Sequence, residues 1–315
     1  MNKATLYRAA WKVLPRLPKP LVYAAAHAAA DVTALGNGRS VRQLRENYVS
    51  LLGHEVPEKM VRDGVRSYFR SMAQQLTLTG WSAEEIRTSG IYPGVKEITK
   101  LMDEGPVVLA LTHSGNWDLA GAWFCESHGS ILTVAEKLEP PELFEEFVRF
   151  RNSIGLEIIG VGPGEHIFDE LKEKVRGRSL LVPLLADRDI SGSGIEVKLG
   201  EESALVAAGP AALAVALDRP LIAGHIHYRK VDRKWKIVFD FTEPIPCPEP
   251  SGTETLVEAW TRAWVKEIAP VMQRYFVDWH MMQKVFVKDL DLERLERARE
   301  RHRTETQTKE IGGES

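Results

Sequence analysis

The chain has 315 residues, 44% of them hydrophobic, with 41 Lys and Arg against 44 Asp and Glu for a formal net charge of −3. That length and apolar content can bury one large core or two modest ones, and are read here as one catalytic domain with terminal additions. The slightly acidic balance argues against nucleic acid as a partner, because a phosphate-tracking surface shows as a basic excess over the whole domain, and Cys125 and Cys247 lie too far apart for a metal or redox spacing.

No stretch reaches the roughly 20 apolar residues that a membrane-spanning helix needs. The longest candidate, "LVYAAAHAAADVTAL", is short and carries His27 and Asp31. Arg8, Lys12, Arg16 and Lys19 interrupt the first apolar stretches, which lead to no convincing signal-peptide cleavage site. The expected setting is cytosolic or peripheral to a membrane.

The first 30 residues carry five basic side chains (Lys3, Arg8, Lys12, Arg16, Lys19) and no acidic one. Arg8, Lys12 and Arg16 recur every four residues and would line one face of a helix, with Leu6, Ala10, Val13, Leu14 and Leu17 around the rest, until Pro15, Pro18 and Pro20 end it. This pattern resembles an interfacial segment; the plainer reading is a solvated helix that caps the domain's own core. Residues 1–40 are therefore set apart as an amphipathic membrane-association segment, 41–287 as the catalytic domain and 288–315 as a charged tail that frays.

From Val41 to Trp81 the periodicity predicts two helices, one closing on Gly53 and one from about Pro57 to Thr79. After the break at "SGIYPG", a helix from Val95 to Asp103 precedes "GPVVLALTH". Strands at "SILTVAEKL", "LEIIGV" and "SLLVPLLADRD" then alternate with helices through "ELFEEFVRFRNSIG" and "HIFDELKEKVRGR". "GPAALAVALDR" reads as a helix, "PLIAGHIHYRK" and "WKIVFDFTEPI" as paired strands, and Thr253 to Tyr275 as a long helix. Such alternation predicts an α/β fold, a single domain around a mixed, mostly parallel sheet covered by helices on both faces.

In open α/β sheets, sites form at the carboxyl ends of strands. "LALTH" ends in His113, and "LVPLLADRD" ends in Asp187, Arg188 and Asp189. Five residues on a helix span about 140°, so His113 and Asp118 fit a strand–turn–helix joint through Ser114, Gly115 and Asn116, from which Asp118 could reach back to the histidine. A histidine beside a carboxylate is a general base for a hydroxyl, and N–H groups at the start of the following helix could hold an oxyanion. The spacing alone is weak: "HYRKVD" repeats it with His227 and Asp232, but without the glycine turn or a following helix. His225 and His227 alternate on one strand with no third ligand at useful spacing, so they are read as half-buried sheet histidines, and no metal is expected. "ISGSG" (Ile190 to Gly194) reads as a flexible turn, and Ser114 and Ser193 lack the elbow of a serine hydrolase.

"THSGNWDLAG", "VAEKL", "FVRFRNSIGL", "LLADRDISGSGIEVKLGEESALVAAGPAALA" and "YFVDWHMMQKVF", in this order, resemble the lysophospholipid acyltransferase superfamily, which has a glycerol-3-phosphate acyltransferase-like fold. Within it the chain is most similar to the branch that holds the late acyltransferases of lipid A and the actinobacterial phosphatidylinositol mannoside acyltransferases. The resemblance implies transfer of a fatty acyl chain from a thioester to a sugar hydroxyl of a membrane glycolipid. His113 would be the base, Asp118 the motif acid and Asp187, where mannoside enzymes are expected to carry Glu, the partner of His113. Glu136, Arg151, Arg188 and Asp189 carry over as substrate-site residues. The basic N-terminus in place of a spanning anchor favours the mannoside reading, with acyl-CoA as co-substrate, a phosphatidylinositol mannoside as acceptor, an anionic inner-membrane surface on the cytoplasmic side, and no other cofactor. An apolar groove walled by the alanine-rich helix from Ala204 to Leu217 would take the acyl chain. The rival readings are a lipid A-type enzyme using acyl carrier protein, a non-catalytic lipid-binding protein, and a lipid hydrolase.

Overall fold

The structure, a computed structural model, describes residues 3–162, 165, 167–189 and 194–291. The expected turn at "ISGSG", apart from Gly194, and the charged tail beyond Asp291 lie outside the described residues.

The N-terminal region folds as α1 (Lys3–Val13), α2 (Lys19–Gly36), α3 (Arg39–Leu52), α4 (Glu58–Thr77) and α5 (Ala83–Arg87). Arg16 falls outside α1, in the tight turn Leu14–Arg16. Pro20, expected to end a helix, instead begins one: in the first turn of α2 its missing N–H and fixed φ are no penalty. The segment caps the core, since Trp11 stacks on Phe150 with ring centroids 5.2 Å apart. Two of the N-terminal cations are paired: Arg8, expected on the basic face, with Glu146 at 2.8 Å, and Lys19 with Glu85 at 2.5 Å. No described helix is long and apolar enough to cross a membrane.

The α/β portion follows as β1 (Gly90–Ile91), α6 (Val95–Met102), β2 (Val107–Leu111), α7 (Trp117–Ser127), β3 (Ser130–Glu136), α8 (Pro141–Ser153), β4 (Leu156–Val161), α9 (Phe168–Val175) and β5 (Leu180–Leu185). A small hairpin, β6 (Ile195–Leu199) and β7 (Glu202–Val206), precedes α10 (Gly209–Leu217), β8 (Leu221–Val231), β9 (Lys234–Phe241) and α11 (Leu256–Arg274). The main sheet has seven strands in the order β1-β9-β8-β2-β5-β3-β4 and is parallel except where β9 returns beside β8. This is the α/β architecture expected from the alternation.

Alternate residues of a strand face opposite ways, so each face of β2 feeds its own core. Val108 and Ala110 pack with residues of α3, α4, α10 and α11, whereas Val107, Leu109 and Leu111 pack with residues of α6, α7 and α8. Burial on both faces explains why β2 is an unbroken apolar run. The stretch Ala204 to Leu217 is not one helix, because its first three residues belong to β7, which pairs with β6.

Candidate active site

The register of the sheet sets the site. Leu111 lies opposite Leu185 in the parallel β2–β5 pair, so two residues further on His113 and Asp187 come level at the carboxyl edge. His113 Nδ1 lies 2.5 Å from Asp187 Oδ1, and the His113 backbone N–H donates to Oδ2 at 3.0 Å. The Trp279 indole N–H donates to the same Oδ2 at 2.6 Å. Asp187 is buried. Burial opposes its ionisation, but His113, through its charge and two hydrogen bonds, and Trp279 together hold the carboxyl below the usual aspartate range. With Nδ1 fixed on a carboxylate, Nε2 is the nitrogen left to exchange a proton, on a side chain that keeps 30% of its surface open.

The joint after His113 is held from several sides. Gly115 has φ +54°, and a Cβ there would stand 2.8 Å from the carbonyl oxygen of Ile226, so the position needs glycine. The Asn116 side chain accepts from the Leu119 N–H at 3.0 Å, capping α7. The segment Asp278–His280 lies alongside through a single antiparallel bridge between Ser114 and Trp279: the Gly115 N–H donates to the Asp278 carbonyl (2.9 Å) and the His280 N–H to that of His113 (2.8 Å). Ser114 N–H is likewise engaged, by the Thr112 carbonyl at 2.8 Å. The Ser114 and Gly115 N–H groups are thus both occupied within the fold.

Asp118 does not reach His113. It points to the other side of α7, where Oδ1 accepts from Arg151 Nε of α8 at 2.9 Å and Oδ2 from Gln75 of α4. Asp118 is only 1% exposed and Arg151 16% at the side chain. The acid thus ties α7 to two neighbouring helices, and a carboxylate in the first turn also complements the helix dipole. Of the other expected residues, Glu136 is exposed at the end of β3 and near enough to Arg188 to act on its charge. Burial pulls the Arg188 guanidinium below the ordinary arginine range, against Glu136, Asp187 and Asp189. The Asp189 N–H donates to the Leu205 carbonyl at 3.0 Å.

A narrow apolar slot is lined in part by Trp117, whose ring lies 6.0 Å from that of His113. Leu109 and Leu111 of β2, Ala120 of α7 and Leu181 of β5 line it, and Asp118 and Arg151 bound one side. It lies on the α7 face. The alanine-rich α10, expected to wall it, packs against the opposite face and α11.

His225 and His227 are fully buried, not half-buried as expected. His225 Nδ1 lies 2.9 Å from the Thr112 hydroxyl, and His227 stacks on Tyr275 at 3.6 Å and pairs with Asp240 at 3.2 Å rather than with Asp232. Burial, aided by His227 and opposed by Asp187 and Asp240, lowers the pKa of His225 to about 4; burial, Arg70, His225 and His113 lower that of His280 to about 3. Both are neutral in the fold and titrate near 6.5 when unfolded, so the stability they permit is complete above about pH 6.5 and falls as the unfolded chain takes up protons below it. The melting temperature is expected to decline as pH drops from about 6.5 toward 4, and less steeply in His225→Asn. A flat profile down to pH 5 contradicts the assignment.

Sequence reasoning missed Trp279, which carries an indole donor to Asp187 from a segment with no helical or strand period. Its sequence signal is an aromatic residue between Asp278 and His280, inside the "YFVDWHMMQKVF" stretch that resembles the family but names no role for it.

Residues 2–288 match the family of bacterial lipid A biosynthesis acyltransferases. The chain belongs to that family. Two relatives are each called phosphatidylinositol mannoside acyltransferase. That of Mycolicibacterium smegmatis is 30% identical over 293 residues, covering 91% of this chain and 92% of its own length. That of Mycobacterium tuberculosis is 31% identical over 302 residues, covering 94% and 92%. As a lipid A-family acyltransferase, the chain places its His113–Asp187 pair at the carboxyl edge where the α/β architecture leaves a crevice.

Proposed function

We propose that this acyltransferase moves a palmitoyl-like chain from acyl-CoA to a mannose hydroxyl of a phosphatidylinositol mannoside, at the cytoplasmic face of the inner membrane, with His113 as general base and no further cofactor. The observation that carries the reading is a histidine fixed on a buried carboxylate, with its ring 6.0 Å from Trp117, a wall of an apolar slot. The printed names of the relatives support the acceptor class. In the proposed step, Nε2 takes the proton of the sugar hydroxyl as its oxygen attacks the thioester carbonyl carbon. The C–O bond forms while the carbonyl becomes an oxyanion beside the positive end of α7. Collapse breaks the C–S bond, and the imidazolium returns its proton to the departing sulfur. Asp187 stabilises that imidazolium. Glu136, Arg188 and Asp189 flank the pair as acceptor-side polar groups, and Arg151 holds the slot's wall through Asp118. Pure protein should release free thiol from palmitoyl-CoA when the mannoside is added and little when water is the only acceptor. Preference for palmitoyl-acyl carrier protein, or equal release without acceptor, would replace the reading with a lipid A-type donor or a hydrolase.

The exposed apolar residues support docking on an anionic membrane. Leu21, Val32 and Leu35 are 59%, 71% and 80% exposed and lie on one stripe of α2. Leu6, Val13 and Leu17 are also exposed, and Lys12 and Arg16 form no ion pair among the described residues. Replacing all three α2 residues with Ser should weaken vesicle binding at least tenfold, because each buried side chain of this size contributes on the order of 1 kcal/mol or more. Lys12→Gln/Arg16→Gln should remove the salt-sensitive part. Sedimentation with anionic vesicles at two salt concentrations reads both, and unchanged binding means that another surface meets the membrane.

A further inference from the structure

A second cleft, of about 500 Å³, lies between α2, α4 and the tip of the β8–β9 hairpin. Its size is that of a small-ligand site, roughly 300–1,000 Å³. β8 pairs with β2 only as far as Gly224 opposite Leu111, so the rest of the strand projects past the carboxyl edge that carries His113. The hairpin tip brings Arg233, Lys234 and Lys236 to the cleft, α4 brings Arg66 and Arg70, and α2 brings Lys19; Glu85 is the carboxylate among the lining residues.

The cations divide into two sets. Lys19 is paired with Glu85, and Arg66 is held by Asp31 at 2.7 and 2.8 Å. Arg70 and the three hairpin cations form no ion pair among the described residues. Arg70 is the telling one. Its guanidinium lies 3.9 Å from the Trp235 ring and 4.7 Å from that of Tyr228, and burial pulls its pKa below the ordinary arginine value. Asp278 and Asp63 act on its charge without forming an ion pair, ring faces stabilise a cation only modestly, and a cation withdrawn from water without a contacting anion is costly. Such a group fits an anion that arrives with a ligand, and a guanidinium fork suits phosphate.

The cleft also communicates with the catalytic loop. Gln74, one helical turn after Arg70, accepts from Asn116 Nδ2 at 3.1 Å and from the Tyr228 hydroxyl at 2.6 Å. Asn116 is the cap that follows His113 by three residues. Above the cleft, α2 turns Tyr23 and His27 inward and its exposed apolar stripe outward. A lipid held at the membrane surface would present its headgroup from that side.

We infer that this cleft is a phosphate-binding subsite for a substrate of acyl transfer, with Arg70, Arg233, Lys234 and Lys236 as the recognising cations. The inference rests on the proposed function for the source of the phosphate, which is the headgroup phosphodiester of the acceptor lipid or the nucleotide end of coenzyme A. The apolar stripe of α2 favours the lipid.

The test is a calorimetric titration of the full chain with glycerophosphoinositol and, separately, with coenzyme A, using methyl α-mannoside as a phosphate-free comparison. At least one phosphate probe should bind, more weakly as salt rises, and Lys234→Gln/Lys236→Gln should lower its affinity at least tenfold. Arg70→Gln should do the same. If that variant does not fold, the hairpin pair carries the test, since Lys234 is exposed on β9 and its replacement leaves the core intact. Lys172→Gln/Lys174→Gln on α9 makes the same charge change elsewhere and should leave affinity within twofold. Loss for glycerophosphoinositol identifies the acceptor as the source, and loss for coenzyme A identifies the donor. Absence of binding by both probes, or equal weakening in the α9 variant, overturns the subsite. Probe binding that behaves as expected in a protein that transfers no acyl chain would leave the subsite standing and sink the proposed function instead.

Discussion

His113→Ala should lower turnover by roughly 10²-fold or more with the fold retained, because general-base assistance contributes typically 10² to 10⁴ and the side chain is partly open at the sheet edge. Asp187→Asn should cost a comparable factor, since it removes the charge that stabilises the imidazolium while Trp279 and the His113 N–H still address the same atom. The double variant should add little to either single one, as groups acting as a unit are not additive. Turnover of purified proteins, beside their melting temperatures, checks this. Near-normal turnover in His113→Ala ends the assignment. His227→Ala is the instructive comparison: its ring is stacked on Tyr275 and bonded to Asp240, so its loss should appear in melting temperature rather than in chemistry per folded molecule.

Asp118→Ala should act through stability. Removing one partner of a buried ion pair leaves the other charge uncompensated and typically costs about 3–5 kcal/mol. Arg151 would be left at the edge of the apolar slot and Gln75 would lose its acceptor. Denaturant unfolding should show a loss of that size, with activity falling in step with the folded fraction, and Arg151→Ala should do nearly the same. Because the two share one interaction, the double variant should cost much less than the sum. An Asp118→Asn protein of unchanged stability and no activity would give Asp118 a direct part in the reaction and reverse the roles of the two aspartates.

The strand–turn–helix joint at His113 was legible because three local signals coincide there: an unbroken apolar run, a glycine where φ must be positive, and an asparagine at the helix cap. The parallel sheet was legible from the alternation of elements, and the α/β class follows from it. What Asp118 binds was not, because its partners stand 33 and 43 positions away on other helices, and spacing along one helix says nothing of contacts across two. Likewise, the alanines of α10 mark a helix that packs closely, but composition does not say against which face of the sheet. Pro20 misled because a proline that breaks a helix interior is harmless in a first turn. Trp279 and His280 escaped because they follow a short 3-10 turn and meet the loop after His113 through a single bridge, where neither period applies.

The most direct test of the account is mass spectrometry of the lipid made by the pure protein from palmitoyl-CoA and a phosphatidylinositol mannoside, run beside the His113→Ala variant. The expected product is heavier by one palmitoyl group, with the added chain on a mannose fragment, and the variant should form at least 10²-fold less of it. Free palmitate as the sole product, or an acylated mannoside formed equally well without His113, would contradict it.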